Sequence, residues 1–276
     1  MHSIVGSWEV PPPMYQRGVF SGKAFPSRKR LPHFLYGNKM AKVKKNKEIN
    51  HINLVKIKPI TDNQKQVFSS WKKGQNQFLF GPAGTGKTFI SLYLALQDIF
   101  DLKKPYERVV LVRSLMPTRD IGFLPGGEEN KELLYQVPYQ NMVKFMFEMA
   151  NEQQFNSLYD GLKEQASLFF VSTSFLRGLT FDNAVIIVDE CQNLNFHELD
   201  TIITRVGQNS KIIFCGDFDQ TDLIKTTEKN GLHDFLRILG EMKEFNCLEF
   251  TIGDIVRSGF VRSYLINKTK LGMTIE

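Results

Sequence analysis

Residues Gly81-Pro82-Ala83-Gly84-Thr85-Gly86-Lys87-Thr88 decide how this chain is read. The spacing G-x-x-x-x-G-K-[ST] constrains four positions. With glycine near 7% of residues, a chance match in a chain of this length is on the order of 1%. The flanks sharpen the match. Gln77 to Phe80 reads as a short strand, and Lys87 to Ile99 as a helix that is apolar on most sides through Phe89, Ile90, Leu92, Leu94, Ala95 and Ile99. A strand, a glycine loop and a helix in this order let backbone N–H groups turn inward around phosphate oxygens, with the positive end of the helix behind them. In such a cradle Lys87 bridges the β- and γ-phosphates and the Thr88 hydroxyl ligates Mg²⁺.

Working outward, Val109 to Val112, Leu168 to Val171, Ala184 to Val188 and Ile212 to Cys215 are continuous apolar runs of strand length. Such runs mark strands buried on both faces of a parallel sheet. Between the last two, Asn195 reads as an N-cap with Glu198 three residues on. Leu199, Ile202, Ile203 and Val206 share one helical face, and Gly207 stops the helix. Alternating strands and helices with right-handed crossovers predict an α/β three-layer sandwich around a mainly parallel sheet. Residues 125–165 interrupt the rhythm. Met142, Val143, Met146 and Met149 have helical spacing there, which predicts an inserted helical hairpin with a Met-rich packing face.

The first 57 residues are of a different kind. They hold Pro11-Pro12-Pro13, Arg28-Lys29-Arg30 and a run of lysines from Lys42 to Lys47, without apolar period. Residues 1–50 carry a net charge of +8, which leaves about −2 for the remainder of a chain whose total is +6. We read a basic N-terminal extension over 1–57, either a solvated tail or a polyanion-binding arm, and one ATPase-like domain over 58–276. The three cysteines, Cys191, Cys215 and Cys247, lie beside or inside apolar runs, and their spacing matches neither a metal site nor a redox pair. Buried free thiols in a reducing compartment follow. With no apolar run of about 18 residues and no secretion signal at Met1 to Val10, the expected location is the cytoplasm.

Two acidic turns complete the chemistry. The apolar strand Ala184 to Val188 ends in Asp189-Glu190. A carboxylate pushed out at that strand end can hold Mg²⁺ directly or through water, and Glu190 beside it can orient and polarise an attacking water. Asp followed by Glu points to hydrolysis rather than to a switch. The next strand ends in Gly216-Asp217-Phe218-Asp219-Gln220, where spacing alone leaves open a γ-phosphate contact by Gln220 or an ordinary acidic turn.

Several segments together resemble the PhoH-like ATPases, a family related to the core of superfamily 1 helicases. Beside the glycine loop, Gly122-Phe-Leu-Pro-Gly126 is similar to the family's G-F-L-P-G signature, and Pro138-Tyr139 echoes a later Pro-Tyr. Phe175-Leu-Arg-Gly-Leu-Thr180 is similar to its Met-Arg-Gly-Arg-Thr element, with Leu179 at the second arginine. Asp189-Glu-Cys-Gln-Asn193 differs from Asp-Glu-Ala-Gln-Asn only at Cys191, and Asp254-Ile-Val-Arg257 resembles Asp-Val-Val-Arg. The likeness covers roughly residues 58–265 and implies a RecA-like P-loop NTPase domain.

The resemblance also implies roles. Gln64 is the expected adenine reader, Gln220 a γ-phosphate sensor and Arg257 an arginine finger. Arg113, Ser114 and Arg177 fall in regions that grip nucleic acid. A superfamily 1 motor closes two lobes over ATP, and a second lobe after Arg257 is not expected here. The expected finger therefore comes from a neighbouring subunit, in a homo-oligomeric ring that the family likeness makes a hexamer. The leading expectation is a Mg²⁺-dependent ATP hydrolase acting on single-stranded nucleic acid, RNA rather than DNA, with no membrane partner. A nucleotide or small-molecule kinase and an ATP-gated assembly module are the alternatives. The Lys-, Asn- and Phe-rich composition suits the bacteriophage members of the family.

Overall fold

The computed structural model describes residues 54–114, 128–149, 151–217, 226–257 and 259–271, with backbone alone for 128–134, 174, 226–230 and 269. The basic extension up to residue 53, the Gly122–Gly126 signature and Gln220 lie outside the described residues.

Six strands form one sheet: β1 (Asn76–Phe80), β2 (Arg108–Arg113), β3 (Leu168–Ser172), β4 (Ala184–Val188), β5 (Lys211–Gly216) and β6 (Phe245–Glu249). Their order is β3-β2-β4-β5-β1-β6, and every pairing is parallel. Parallel pairing needs a crossover between strands, which the helices supply. These are α1 (Asp62–Lys72), α2 (Lys87–Phe100), α3 (Glu128–Met146), α4 (Glu152–Glu164), α5 (Phe196–Ile203), α6 (Thr226–Gly240) and α7 (Gly259–Lys270).

Strand alternation divides the core between two faces. Leu79, Val109, Leu111, Val185, Ile187 and Ile213 pack with residues of α1 to α4, among them Trp71, Leu92, Leu96 and Leu162. Phe78, Val110, Val112, Ile186, Val188 and Phe214 face the other way, onto Leu199 and Ile202 of α5 and Leu232, Phe235 and Leu239 of α6. The sandwich therefore has three layers, as a continuous apolar run in each central strand requires. At the opposite edge from the carboxyl ends, Lys211 is buried with its ammonium 2.9 Å from the Trp71 carbonyl and 3.9 Å from the indole centre.

Two sequence expectations change. The helix capped by Asn195 has its full capping box with Glu198, but it ends at Ile203 rather than running to Gly207. Thr204 turns its hydroxyl onto the carbonyls of Asp200 and Thr201, and Val206 leaves the helical face to form a bridge with Phe181. The hydrogen bonds from Phe181 N–H to the Arg205 carbonyl (2.9 Å) and from Gly207 N–H to the Phe181 carbonyl (3.0 Å) satisfy this backbone better than another helical turn would. Likewise α3 stops at Met146, so Met149 packs on the core from beyond the helix while Val143 and Met146 are buried within it. Cys191 and Cys215 are buried free thiols, and Cys247 is half-buried.

Candidate active site at the carboxyl edge of the sheet

With all six strands parallel, their carboxyl ends share one edge, and the polar residues that follow each strand converge there. β1 delivers the glycine loop, β4 delivers Asp189-Glu190, β5 delivers Gly216-Asp217 and β2 ends at Arg113. β5 lies between β1 and β4, which separates the loop from the acidic pair by two strand spacings, ~9.5 Å. The opening so formed is a cleft of about 630 Å³, lined among others by Gly84, Lys87, Thr88, Arg113, Asp189 and Glu190. That volume is in the range of small-molecule and cofactor sites.

The loop is held by close backbone approaches. Gly81 has φ +125°, and a Cβ there would stand 2.1 Å from the Phe250 carbonyl oxygen. Phe250 N–H donates to the Phe80 carbonyl at 2.7 Å, so the ends of β1 and β6 leave no room for a side chain. Gly84, at φ +82°, faces Arg257: a Cβ would be 2.8 Å from the arginine Cγ. Gly86 caps α2, whose first residue, Lys87, is buried. The Lys87 ammonium donates to the carbonyls of Gly81 (2.6 Å) and Pro82 (2.8 Å). Burial lowers its pKa, against the opposing pull of Asp217, Cys215, Glu190 and Asp189. An anion entering the loop would favour the charged form of this lysine.

Across the cleft, Thr88 Oγ1 donates to Asp189 Oδ1 at 2.7 Å. Tyr139, buried on α3, donates from its hydroxyl to Asp189 Oδ2, also at 2.7 Å. Arg113 lines the cleft beside Tyr139 and stacks over the Tyr135 ring at 5.4 Å. Burial opposes its charge, but Tyr139, Glu190 and Asp189 outweigh that and leave its pKa raised. Glu190 has a positive φ of 53°, and its carboxylate accepts from Gln192 Nε2 at 2.5 Å. Burial, helped by the Asp189 charge, raises the Glu190 pKa, while Gln192, Arg113 and Lys87 pull it down. Gln192 Oε1 in turn accepts from the Asp217 N–H at 3.0 Å, which ties the acidic pair to the end of β5.

Gln64 and Arg257 border the same cleft from the other side. Both ends of the buried Gln64 amide are engaged: Oε1 accepts from Ile60 N–H (2.7 Å) and Nε2 donates to the Thr85 carbonyl (3.1 Å). It braces the glycine loop. The segment before Arg257 is docked by Val256 N–H onto the Gly84 carbonyl (3.0 Å). Asp254 anchors it to α1 by accepting from Asn63 Nδ2 at 2.7 Å. Burial pushes Asp254 up, yet hydrogen bonds from Thr61, Thr251 and Asn63 prevail and hold its pKa low. Arg257 thus lies beside the P-loop of its own chain, with its Cγ close over Gly84. Of the nucleic-acid candidates, Arg113 points into the cleft, Ser114 is buried, and Arg177 is exposed with its guanidinium 3.5 Å from His197 Nε2.

Tyr139, Gln192 and Asp254 were not singled out by sequence reasoning as site residues. Each lay inside a quoted motif. The buried polar partners that make them part of the site come from three different elements, which no spacing rule links.

Among the described residues no group of three or more His, Cys, Asp or Glu gathers as a metal cage. A hydroxyl and one carboxylate held 2.7 Å apart are instead the hard-oxygen set that suits Mg²⁺ bound largely by phosphate and water. Thr88 and Asp189 fit such an ion. Among the described residues no helix is long and apolar enough to cross a membrane.

A glycine loop capping α2, a lysine within it and an acidic pair two strands away define a RecA-like P-loop NTPase, a nucleotide-binding fold. The chain belongs to the PhoH family: the family model described as PhoH-like protein matches residues 56–267. It is 31% identical over 207 residues to a PhoH-like protein of Synechocystis, covering 75% of this chain and 60% of that one. It is 36% identical over 145 residues to protein PhoH2 of Bacillus subtilis, covering 52% of this chain and 32% of that one. The match thus spans about a third of one relative and 60% of the other. Among solved structures, the large terminase of a thermophilic bacteriophage in complex with ADP is similar with a TM-score of 0.42 and 14% identity, over 75% of this chain and 49% of that one. Bacteroides Pif1 bound to ssDNA has a TM-score of 0.34 and 16% identity, over 79% and 49% of the two chains.

Proposed function

We propose that this chain hydrolyses ATP to ADP and phosphate with Mg²⁺, and couples hydrolysis to binding or remodelling of single-stranded nucleic acid, RNA in preference to DNA. The observation that carries the hydrolytic reading is Glu190: a half-buried carboxylate with a raised pKa, next to Asp189 and facing the same cleft as Lys87. Such a group can hold a water and take its proton as the water oxygen bonds to the γ-phosphorus and the bond to the β–γ bridging oxygen breaks. Lys87 and the N–H groups of the loop meet the charge on the phosphates. Thr88 and Asp189 would hold a Mg²⁺ ion, which would supply further neutralisation of the phosphate charge. Arg257, reaching its own P-loop, is assigned to the nucleotide in cis, Gln64 to bracing the loop and the adenine side of the cleft, and Gln220 to sensing the γ-phosphate.

The nucleic-acid part is supported by exposed Arg177 and by Phe175 two residues before it, 40% exposed, at the carboxyl edge just beyond β3. An aromatic face beside a guanidinium suits a base and its phosphate. A ring of identical chains, hexameric by family likeness, is the assembly we propose. Its function would be to hold the polynucleotide, since Arg257 meets the P-loop in cis.

The test is phosphate release with poly(U), with single-stranded DNA of equal length, and with neither. Stimulation by RNA above DNA is expected. Release that ignores both polymers overturns the coupling, and no release under any condition overturns the hydrolase. Glu190→Gln should keep ATP bound while abolishing turnover.

A further inference from the structure

Tyr139 is a tyrosine with 1% exposure whose hydroxyl spends its proton on the metal-site carboxylate. It comes from α3, an element of the insert between β2 and β3, and from no part of the P-loop framework. Its ring tilts against Phe170 with centroids 6.0 Å apart, which fixes the direction of the hydroxyl. Behind it stands Arg113, which lines the cleft beside the same phenol and is stacked on Tyr135 one helical turn earlier. Asp189 Oδ1 is meanwhile bound by Thr88. Each carboxylate oxygen thus accepts one fixed hydrogen bond and keeps lone-pair capacity for an ion or its water.

We propose that Tyr139 is a positioning residue of the Mg²⁺ site, holding Asp189 through Oδ2 so that the ion meets a carboxylate already oriented, and that α3 is thereby part of the nucleotide site. The inference rests on the nucleotide-binding reading above. A carboxylate free to rotate would lose conformational freedom on every binding event, whereas one held by a phenol and a threonine does not. Outer partners of this kind are worth about 10- to 100-fold in metal affinity. The arrangement also means that any force moving α3 is felt at Asp189 without passing through the P-loop.

The experiment is binding of a fluorescent (mant) ADP, followed by anisotropy, across a Mg²⁺ titration that starts from chelator-treated protein. Tyr139→Phe keeps the ring and removes only the hydroxyl. It should raise the Mg²⁺ concentration needed for half-maximal binding about 10-fold, while leaving the affinity for metal-free nucleotide at the wild-type value. Loss of both affinities together would indicate a merely structural tyrosine and overturn the proposal, as would an unshifted Mg²⁺ dependence. Should Tyr139→Phe not fold, Arg113→Lys leaves the phenol in place but loosens its support. A smaller shift in the same direction is then expected, and an unchanged midpoint overturns the proposal. Wild-type protein that binds no nucleotide at any Mg²⁺ concentration would instead overturn the functional reading itself, a result distinct from a wild-type-like Tyr139→Phe.

Discussion

Glu190 occupies the left-handed region at φ 53°, a conformation of a kind that costs a non-glycine residue about 1–3 kcal/mol. The cost is borne where β4 ends and the chain must swing Glu190 toward the cleft while Asp189 stays hydrogen-bonded to Thr88. Burial and the Asp189 charge raise the Glu190 pKa. A base must be deprotonated to act, so its activity is present at high pH and lost as pH falls through this raised pKa. We therefore expect kcat/KM for ATP to decline with falling pH before the ordinary carboxylate range is reached. Glu190→Gln should lower kcat by roughly 10²- to 10⁴-fold and leave mant-ADP binding intact. A flat pH profile down to the ordinary carboxylate range would count against Glu190 as the base.

At the scale of elements, the loop owes its shape to two neighbours that are remote in sequence. The end of β6 fills the space over Gly81, and the turn before α7 fills the space over Gly84. Gly81→Ala combines a disfavoured φ with a Cβ 2.1 Å from a backbone oxygen, which cannot swing aside as a side chain can. A loss of at least ~3 kcal/mol is expected in urea unfolding. Nucleotide affinity should also fall, because β1 and β6 must part to admit the methyl group. A variant as stable as wild type would mean that the two strand ends are looser than this packing implies.

For the whole molecule, the point at issue is whether one chain completes the site. Arg257 approaches its own P-loop, and Val256 N–H is bonded to the carbonyl of Gly84. Arg257→Ala should lower ATP turnover about 10²-fold, in line with removal of one transition-state donor. Mixing it with Lys87→Ala separates the two arrangements. A finger acting between subunits would restore activity in mixed assemblies, because intact Arg257 from one chain would meet an intact P-loop from the other. In cis no such rescue occurs, and none is expected.

Fold class and the chemical core were legible in the sequence because both are local. Continuous apolar runs identified β2 to β5, and the strand–loop–helix order around Gly81 to Thr88 marked β1 and the expected phosphate cradle. The Asp189-Glu190 pair was readable from the buried strand that precedes it. β6 carried no such signal, for it is an edge strand whose Phe-Asn-Cys-Leu-Glu sequence is only half-buried. The end of α5 escaped as well, since a bridge to Phe181 competes for backbone that the helical pattern alone would have kept. What tertiary structure alone decided is which side chains share the cleft. Parallel pairing brings six strand ends to one edge, and an inserted helix places a phenol on Asp189 from fifty residues away. Spacing along a chain cannot encode such a contact, because it depends on how separate elements pack and not on their period.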